Sequence, residues 1–428
     1  MKMRTSLPVI LFVFIMLASL SSCEHSSMIL FPDNVSLQTS SDSGVSNYTI
    51  NNYVTYDIEI NMSLVQQLGN ADYFFKYPRL NNRHPNNSLT RYCAPYQESE
   101  LLYHETNGYN DILEDHNDRF NNTFDSFNVS ISGSGSASYS QKYRTTLNAI
   151  SFSGIQDSDI GEYDKSDIMF ELYCNHSQEH YEKDALQTVS DNIVTQSDNP
   201  IEKAQKIIQN VTDHLVYNGS MTEEKGALWA YNNREGDCSE YTDLMVTLLR
   251  GQGIPARKVS GWVLSNYINE RPQVGDEYYF STSPEIASEQ IKGHAWVEYY
   301  VPNIGWIQCD PTWHESSANY FNNIDYLRLN FNIGQWFFYP PDNNVSEIGH
   351  PRLYYQNSSA TDLTYEYELT ATVIDTDVIP LSSEDDDDDG NSKTILIPMD
   401  LIIIIAIGFG VALIALIALI LIIKNKNR

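Results

Sequence analysis

Three side chains, distant in the chain, are of the types a thiol nucleophile needs: Cys238, His294 and Asp310. Cys238 opens a segment in which Tyr241, Leu244, Met245, Leu248 and Leu249 recur at helical spacing, which predicts a helix with one buried face. Gly251 and Gly253 follow and can end it. A thiol at a helix N-terminus meets unpaired backbone N–H groups and the positive end of the helix dipole, and both favour the nucleophilic thiolate. A buried structural cysteine is the plain alternative, and the helix alone does not separate the two. The stretch from Gly293 to Trp313 reads as two strands around a turn at Pro302 to Gly305. His294 starts the first strand and Asp310 ends the second. Their separation is even, so a hairpin centred on Pro302 places them opposite each other on one face. An imidazole there can take the thiol proton, and the carboxylate can fix its tautomer and stabilise its charged form. The chemistry expected is attack of sulfur on a carbonyl.

The elements that must hold these groups are also marked. Asp198 or Asn199 can cap a helix that begins at Pro200, with Ile201, Ala204, Ile208, Val211 and Leu215 on one face. Upstream, Val54, Tyr56, Ile58, Ile60, Met62 and Leu64 alternate with mostly polar residues, as do Phe127, Val129 and Ile131, and both runs predict half-buried strands. Leu147 to Phe152 and Ile168 to Cys174 are further strand candidates, and Tyr365 to Val373 alternates near the end. The reading is a β-rich domain over 50–185 without a chemical constellation, then a catalytic domain over 195–378.

Several short motifs carry a family resemblance. They are Gly236, Asp237 and Cys238 with the helix after them, Gly253-Ile254-Pro255-Ala256-Arg257 leading to Gly261, His294-Ala295-Trp296-Val297-Glu298, and Trp306 with Asp310-Pro311-Thr312. Together they resemble the core of the transglutaminase-like superfamily, which shares its catalytic logic with papain-type cysteine proteases. The resemblance covers roughly residues 199 to 313. It implies an α+β fold with a transglutaminase-like, cysteine-protease core, in which the nucleophile helix packs on an antiparallel sheet carrying the histidine and aspartate. It leaves the substrate open, because members include cross-linkers, peptidases, deglycosylating enzymes and proteins without activity.

Trp229, Trp262 and Trp296 flank the motifs. Tryptophans are more often core than ligand contacts, but a substrate channel beside the thiol needs apolar walls, which one or more of these can supply. The backbone N–H of Cys238 is expected in the oxyanion hole, and no side-chain donor is legible. Of five cysteines, Cys23 belongs to a leader and Cys238 to the chemistry, while Cys309 points away from the face of Asp310. Cys93 and Cys174 share the β-rich domain and are the expected disulfide in an oxidising exterior. No Cys or His spacing matches a zinc site, so neither metal nor other cofactor is expected.

Net charge is −30, which argues against a nucleic-acid partner because phosphates would be repelled. Residues 1–23 read as a signal peptide, either with an ordinary cleavage site or with a lipobox at Leu20-Ser21-Ser22-Cys23. Residues 24–49 read as a flexible tether, and residues 379–394, with the run Asp385 to Asp389, as an acidic linker. Residues 395–423 read as a single transmembrane helix, and Lys424, Lys426 and Arg428 put the tail, 424–428, in the cytoplasm. Sequons at Asn34, Asn47, Asn61, Asn86, Asn121, Asn128, Asn175, Asn210, Asn218, Asn344 and Asn357 fit a glycosylated ectodomain. The expectation is a membrane-anchored, outward-facing thiol enzyme acting on protein or peptide amides of the cell envelope, with hydrolysis favoured over transamidation. A surface adhesion module that keeps the fold without activity is the competing class.

Overall fold

The computed structural model describes residues 47–80, 82, 93–109, 111–117, 120, 122–175, 183–221, 224–267, 269–282, 291–314, 319–333, 336–339, 344–347, 352–356 and 359–380. The chain divides into units 1–43 and 44–428, and every described residue belongs to the second. The expected signal peptide, acidic run, membrane span and tail lie outside the described residues, as do Asn34, Asn86, Asn121, Asn357 and the side chains of Asn175 and Asn344. Among the described residues no helix is long and apolar enough to cross a membrane.

Strands β1 (Tyr48–Leu68), β2 (Asn70–Pro78), β3 (Gln97–Asn107), β4 (Asp111–Asn117), β5 (Thr123–Ser132) and β6 (Gly135–Phe152) come first. In β1 the residues read as alternating from Val54 to Leu64 are the buried ones, so the period-two pattern is realised as a core face. Each fully buried Ile or Leu there contributes roughly 1.5–3 kcal/mol relative to exposure. A short helical turn α1 (Ile168–Phe170) runs into a π turn over Glu171–Asn175, where a strand was expected. Asp167 explains the difference: its Oδ1 accepts the Met169 N–H at 2.9 Å and starts a turn instead of a ladder. Met169 and Tyr173 then bury against Phe120 and Trp306.

Helices α2 (Lys183–Ile193), α3 (Pro200–His214), α4 (Ala227–Asn233) and α5 (Cys238–Gly251) follow, with the two-residue strands β7 (Val216–Tyr217) and β8 (Glu235–Gly236) between them. Asn199 caps α3: its Oδ1 accepts the N–H groups of Ile201 and Glu202, and Glu202 returns the bond to the Asn199 N–H. The remaining strands are β9 (Ala256–Val263), β10 (Glu277–Ser281), β11 (Lys292–Val301), β12 (Gly305–Cys309), β13 (Asn323–Ile324), β14 (Arg328–Ile333), β15 (Trp336–Tyr339), β16 (Asn344–Glu347), β17 (Arg352–Gln356) and β18 (Thr361–Thr376).

Among the described strands pairing is antiparallel except for β7 with β8, and an isolated parallel bridge joins Cys93 to Trp306. A four-stranded sheet, β12-β11-β9-β14, carries α5 on one face. A larger sheet runs β10-β18-β1-β6-β13 with β3 also on β6, and a third runs β17-β2-β5-β4. The domain boundary expected from the sequence lies between 185 and 195. Strands from both sides of it interleave, because β18 pairs with β1 on one edge and with β10 on the other. Strand β18 thus joins the sheet of the first half rather than the β12-β11-β9-β14 sheet.

The expected Cys93–Cys174 disulfide is not formed. Each sulfur has a different partner. Arg257 Nη2 stands 3.3 Å from Cys93 Sγ. The Cys174 thiol donates to the Arg250 carbonyl at 3.8 Å.

Candidate active site

Asp237 caps α5. Its carboxylate accepts the Ser239 N–H at 2.8 Å, while Glu240 accepts the Asp237 N–H at 3.1 Å. This box stops the chain at Gly236, where a Cβ would lie 2.3 Å from the Glu240 Cβ, and sets Cys238 as the first helical residue. On the sheet, β9 and β11 pair His294 with Gly261. At Gly261 a Cβ would stand 1.9 Å from the Leu329 carbonyl oxygen of β14, so only glycine lets the three strands lie this close.

The β11–β12 hairpin pairs Val301 with Gly305 and Val297 with Cys309. Its centre is one residue later than the parity argument placed it. Asp310, just past β12, therefore continues the register toward Trp296 rather than His294. The shift preserves parity, so the two groups still share a face and meet diagonally: His294 Nε2 lies 2.7 Å from Asp310 Oδ2. A carboxylate only accepts, so Nε2 carries the proton and Nδ1 is the basic nitrogen.

Asp310 is 1% exposed and fully engaged. Its Oδ1 accepts the N–H groups of Thr312 and Trp313 at 3.1 and 3.3 Å. Its Oδ2 also accepts Arg328 Nε at 3.0 Å and Nη2 at 2.6 Å. Burial alone would push this carboxyl up, but the charges of His294 and Arg328 outweigh it and hold Asp310 well below the usual carboxylate range. Arg328 is itself bonded to Asp325 through Nη1 and lies over the rings of Tyr320 and Trp313, at 4.2 and 5.1 Å from their centroids. The sequence reading missed Arg328. The only signal was a cation on the polar side of the alternating stretch Leu327 to Ile333.

Cys238 is half-buried, and the Ala295 N–H, next to His294, bonds its sulfur. The expected thiolate is not favoured at rest. Burial, then the adjoining Asp237 carboxylate, push the thiol up to about 12, against the opposing pull of Lys258 and of the Ala295 N–H. Burial, and then the anionic cap that creates the terminus, outweigh the helix dipole at the sulfur. An isolated Cys238 is therefore protonated near neutral pH, and its reactivity there depends on His294. Replacing His294 with alanine is expected to slow iodoacetamide labelling of Cys238 near pH 7 by at least about tenfold, leaving a rate that keeps climbing with alkalinity. Unchanged labelling would remove His294 from the role of base.

Of the three tryptophans expected beside the substrate, two are corrected. Trp262 is buried in the core against Phe280, with ring centroids 4.5 Å apart. Trp296 is also fully buried and stacks on the His294 ring at 6.2 Å, so it backs the imidazole rather than lining a channel. Trp229 is half-buried on α4. Cys309 is buried. A second residue missed by sequence reasoning is Tyr217. The β7–β8 bridge pairs it with Gly236, and its ring stands 6.4 Å from that of Tyr241, one turn along α5 from Cys238. It is 43% exposed, and its hydroxyl makes no hydrogen bond among the described residues. Burial, then the charges of Cys238, Asp237 and Asp310, push its phenol up, so it remains a donor beside the sulfur.

Comparison with known proteins finds sequence likeness. Residues 187–311 match the family model described as the Transglutaminase-like superfamily, and in this segment the chain is similar to that family. An uncharacterised Bacillus subtilis protein, YebA, is 32% identical over 95 residues, which is 22% of this chain and 12% of that protein. A Pseudomonas aeruginosa protein named protein-glutamine gamma-glutamyltransferase is 35% identical over 83 residues, 19% of this chain and 11% of that protein. The chain thus spans about an eighth or less of the length of these relatives. A crystal structure of a candidate cysteine protease from Cytophaga hutchinsonii aligns over 78% of this chain and 95% of its own, with 16% identity and a TM-score of 0.48.

Proposed function

We propose that this chain is a thiol enzyme that cleaves or transfers amide-bonded acyl groups through Cys238, His294 and Asp310. The observation that carries the reading is the buried His294–Asp310 pair at 2.7 Å on the sheet that packs against the helix opened by Cys238. His294 Nδ1 takes the thiol proton as sulfur attacks the carbonyl carbon. The imidazolium, balanced by Asp310, then protonates the leaving amine, and a thioester remains on Cys238. The carbonyl oxygen, negative in the tetrahedral intermediate, is met by the Cys238 N–H at the helix start and by the Tyr217 hydroxyl. Water, activated by the same imidazole, releases the acid; an amine in its place gives a new amide.

Hydrolysis is the favoured outcome, because Val216 and Tyr217, next to the strand that leads into α5, are open to solvent. Transamidation is the second reading, favoured by the name of the Pseudomonas aeruginosa relative. An adhesion module has no need of a buried His–Asp–Arg network behind a thiol. The leader, the C-terminal apolar segment and the sequons support an ectodomain anchored in the cell membrane and facing envelope proteins or peptides. Incubation of the full-length chain with cell-envelope material, followed by mass spectrometry, is expected to give released peptides or new isopeptide links that are absent with Cys238→Ala. Identical product lists from both proteins would contradict the reading.

A further inference from the structure

Beneath α5 lies a cluster of ionisable side chains that the acyl chemistry does not use. Lys258 of β9 is fully buried, with Nζ 2.8 Å from Glu224 Oε1 and 3.4 Å from Asp243 Oδ1. The side chains of Lys258 and Asp243 are 0% exposed and that of Glu224 is 6% exposed, so the cluster is closed to bulk water. The three groups come from three segments: Lys258 from the sheet, Asp243 from α5, and Glu224 from the chain just ahead of α4. The neighbouring cation on the strand has the ordinary arrangement, since Arg257 pairs with the single carboxylate of Glu298 at 2.6 Å.

Two carboxyls face one ammonium here, so with both ionised the cluster would hold an uncompensated buried charge. A proton on one carboxyl removes it. Asp243 is the holder: burial, and then the Glu224 charge, push its carboxyl well above the usual range against the pull of Lys258. A neutral carboxylic acid can acylate an amine, which a carboxylate does not. Nζ becomes a nucleophile once it loses a proton, and Glu224 Oε1, at 2.8 Å, is placed to take that proton. Reacting groups held in contact by a fold reach effective concentrations that no free pair attains.

We propose that these three residues form a covalent cross-link: an isopeptide bond between Lys258 Nζ and Asp243 Cγ, made by the folded chain itself with Glu224 as proton carrier. Lys258 enters as an ammonium, Glu224 as a carboxylate and Asp243 as a carboxylic acid. Glu224 takes one proton from Nζ, and Nζ attacks Cγ. The bond from Cγ to the Asp243 hydroxyl breaks, and that oxygen leaves as water with its own proton and the one Glu224 passes on. Of the other two protons on Nζ, one moves to Glu224 and one stays as the amide hydrogen. Nothing is oxidised or reduced. The neutral amide replaces a buried ion pair and its desolvation penalty, and it ties the helix opened by Cys238 to the sheet that carries His294. The bond goes beyond the acyl chemistry proposed for Cys238 and does not require it.

Peptide mass spectrometry of the folded, full-length chain tests this. Wild type is expected to give a branched peptide that joins Asp243 to Lys258, lighter by one water than its two parts and uncut by trypsin after Lys258. Cys238→Ala should give the same branch, because the thiol takes no part. Asp243→Ala and Lys258→Arg should lose it wholly. Glu224→Gln should slow its formation by at least about a hundredfold, so that freshly made chain is mostly linear. Should these variants fail to fold, the wild-type map still decides the matter. Lys258 recovered only in linear peptides from folded wild type overturns the proposal. A branch from Lys258 to Glu224 overturns the choice of acyl partner, and a branch present in wild type but missing from Cys238→Ala overturns self-formation.

Discussion

Cys238→Ala is expected to lose turnover by at least on the order of ten-thousandfold while keeping its fold, and His294→Ala is expected to lose as much. The two act as one unit: sulfur without a base stays protonated, because burial and Asp237 oppose the thiolate. The double variant should therefore be no worse than either single one. Turnover, melting temperature and circular dichroism on the same samples separate lost chemistry from lost structure. Activity in Cys238→Ala within a few-fold of wild type would exclude the sulfur from the reaction.

The second large effect concerns Arg328. Removing one partner of a buried ion pair leaves an uncompensated charge and typically costs about 3–5 kcal/mol. Arg328→Met strips both Asp310 and Asp325 of their guanidinium, so a loss of this order is expected, with a fall in turnover as the imidazole loses its fixed partner. The pH dependence carries the sign. Asp310 is held below its ordinary range by His294 and Arg328 against the burial that would raise it. A carboxyl depressed in the folded state stabilises the fold above its unfolded value, near pH 4, and loses that contribution as the pH falls through the folded value. The stability gap between wild type and Arg328→Met should therefore begin to narrow below about pH 4 and go on narrowing as the pH falls toward the folded value. Melts showing the same gap at pH 3 and pH 7 would mean that the variant fails through packing rather than charge. Asp310→Asn should retain a residual rate if folded, but it shares the burial cost, because the amide cannot balance Arg328.

What the sequence made legible was what periodicity and local chemistry determine. The face of α5, the cap and start of α3, the even spacing of His294 and Asp310 and the alternation of β1 all depend on neighbours within a few residues. Long-range pairings had no such signal. Nothing local tells that β18 returns to β1 over some three hundred residues, with Ile58 opposite Ala371. Nor does the spacing of Cys93 and Cys174 reveal that one sulfur lies against Arg257 and the other against the Arg250 carbonyl. Arg328 and Tyr217 were invisible for the same reason, since each reaches the site from a separate element. The thiolate expectation failed in another way: it counted the helix dipole and left out burial and the capping carboxylate beside the sulfur.

The central claim is that Cys238 carries the acyl group, and intact mass spectrometry of the full-length chain, quenched in acid during turnover, tests it most directly. The predicted result is an adduct equal to the acyl mass that peptide mapping places on Cys238, that hydroxylamine removes, and that neither Cys238→Ala nor His294→Ala forms. Sustained turnover with no adduct on Cys238, or with the acyl group on Cys93, Cys174 or Cys309, would contradict it.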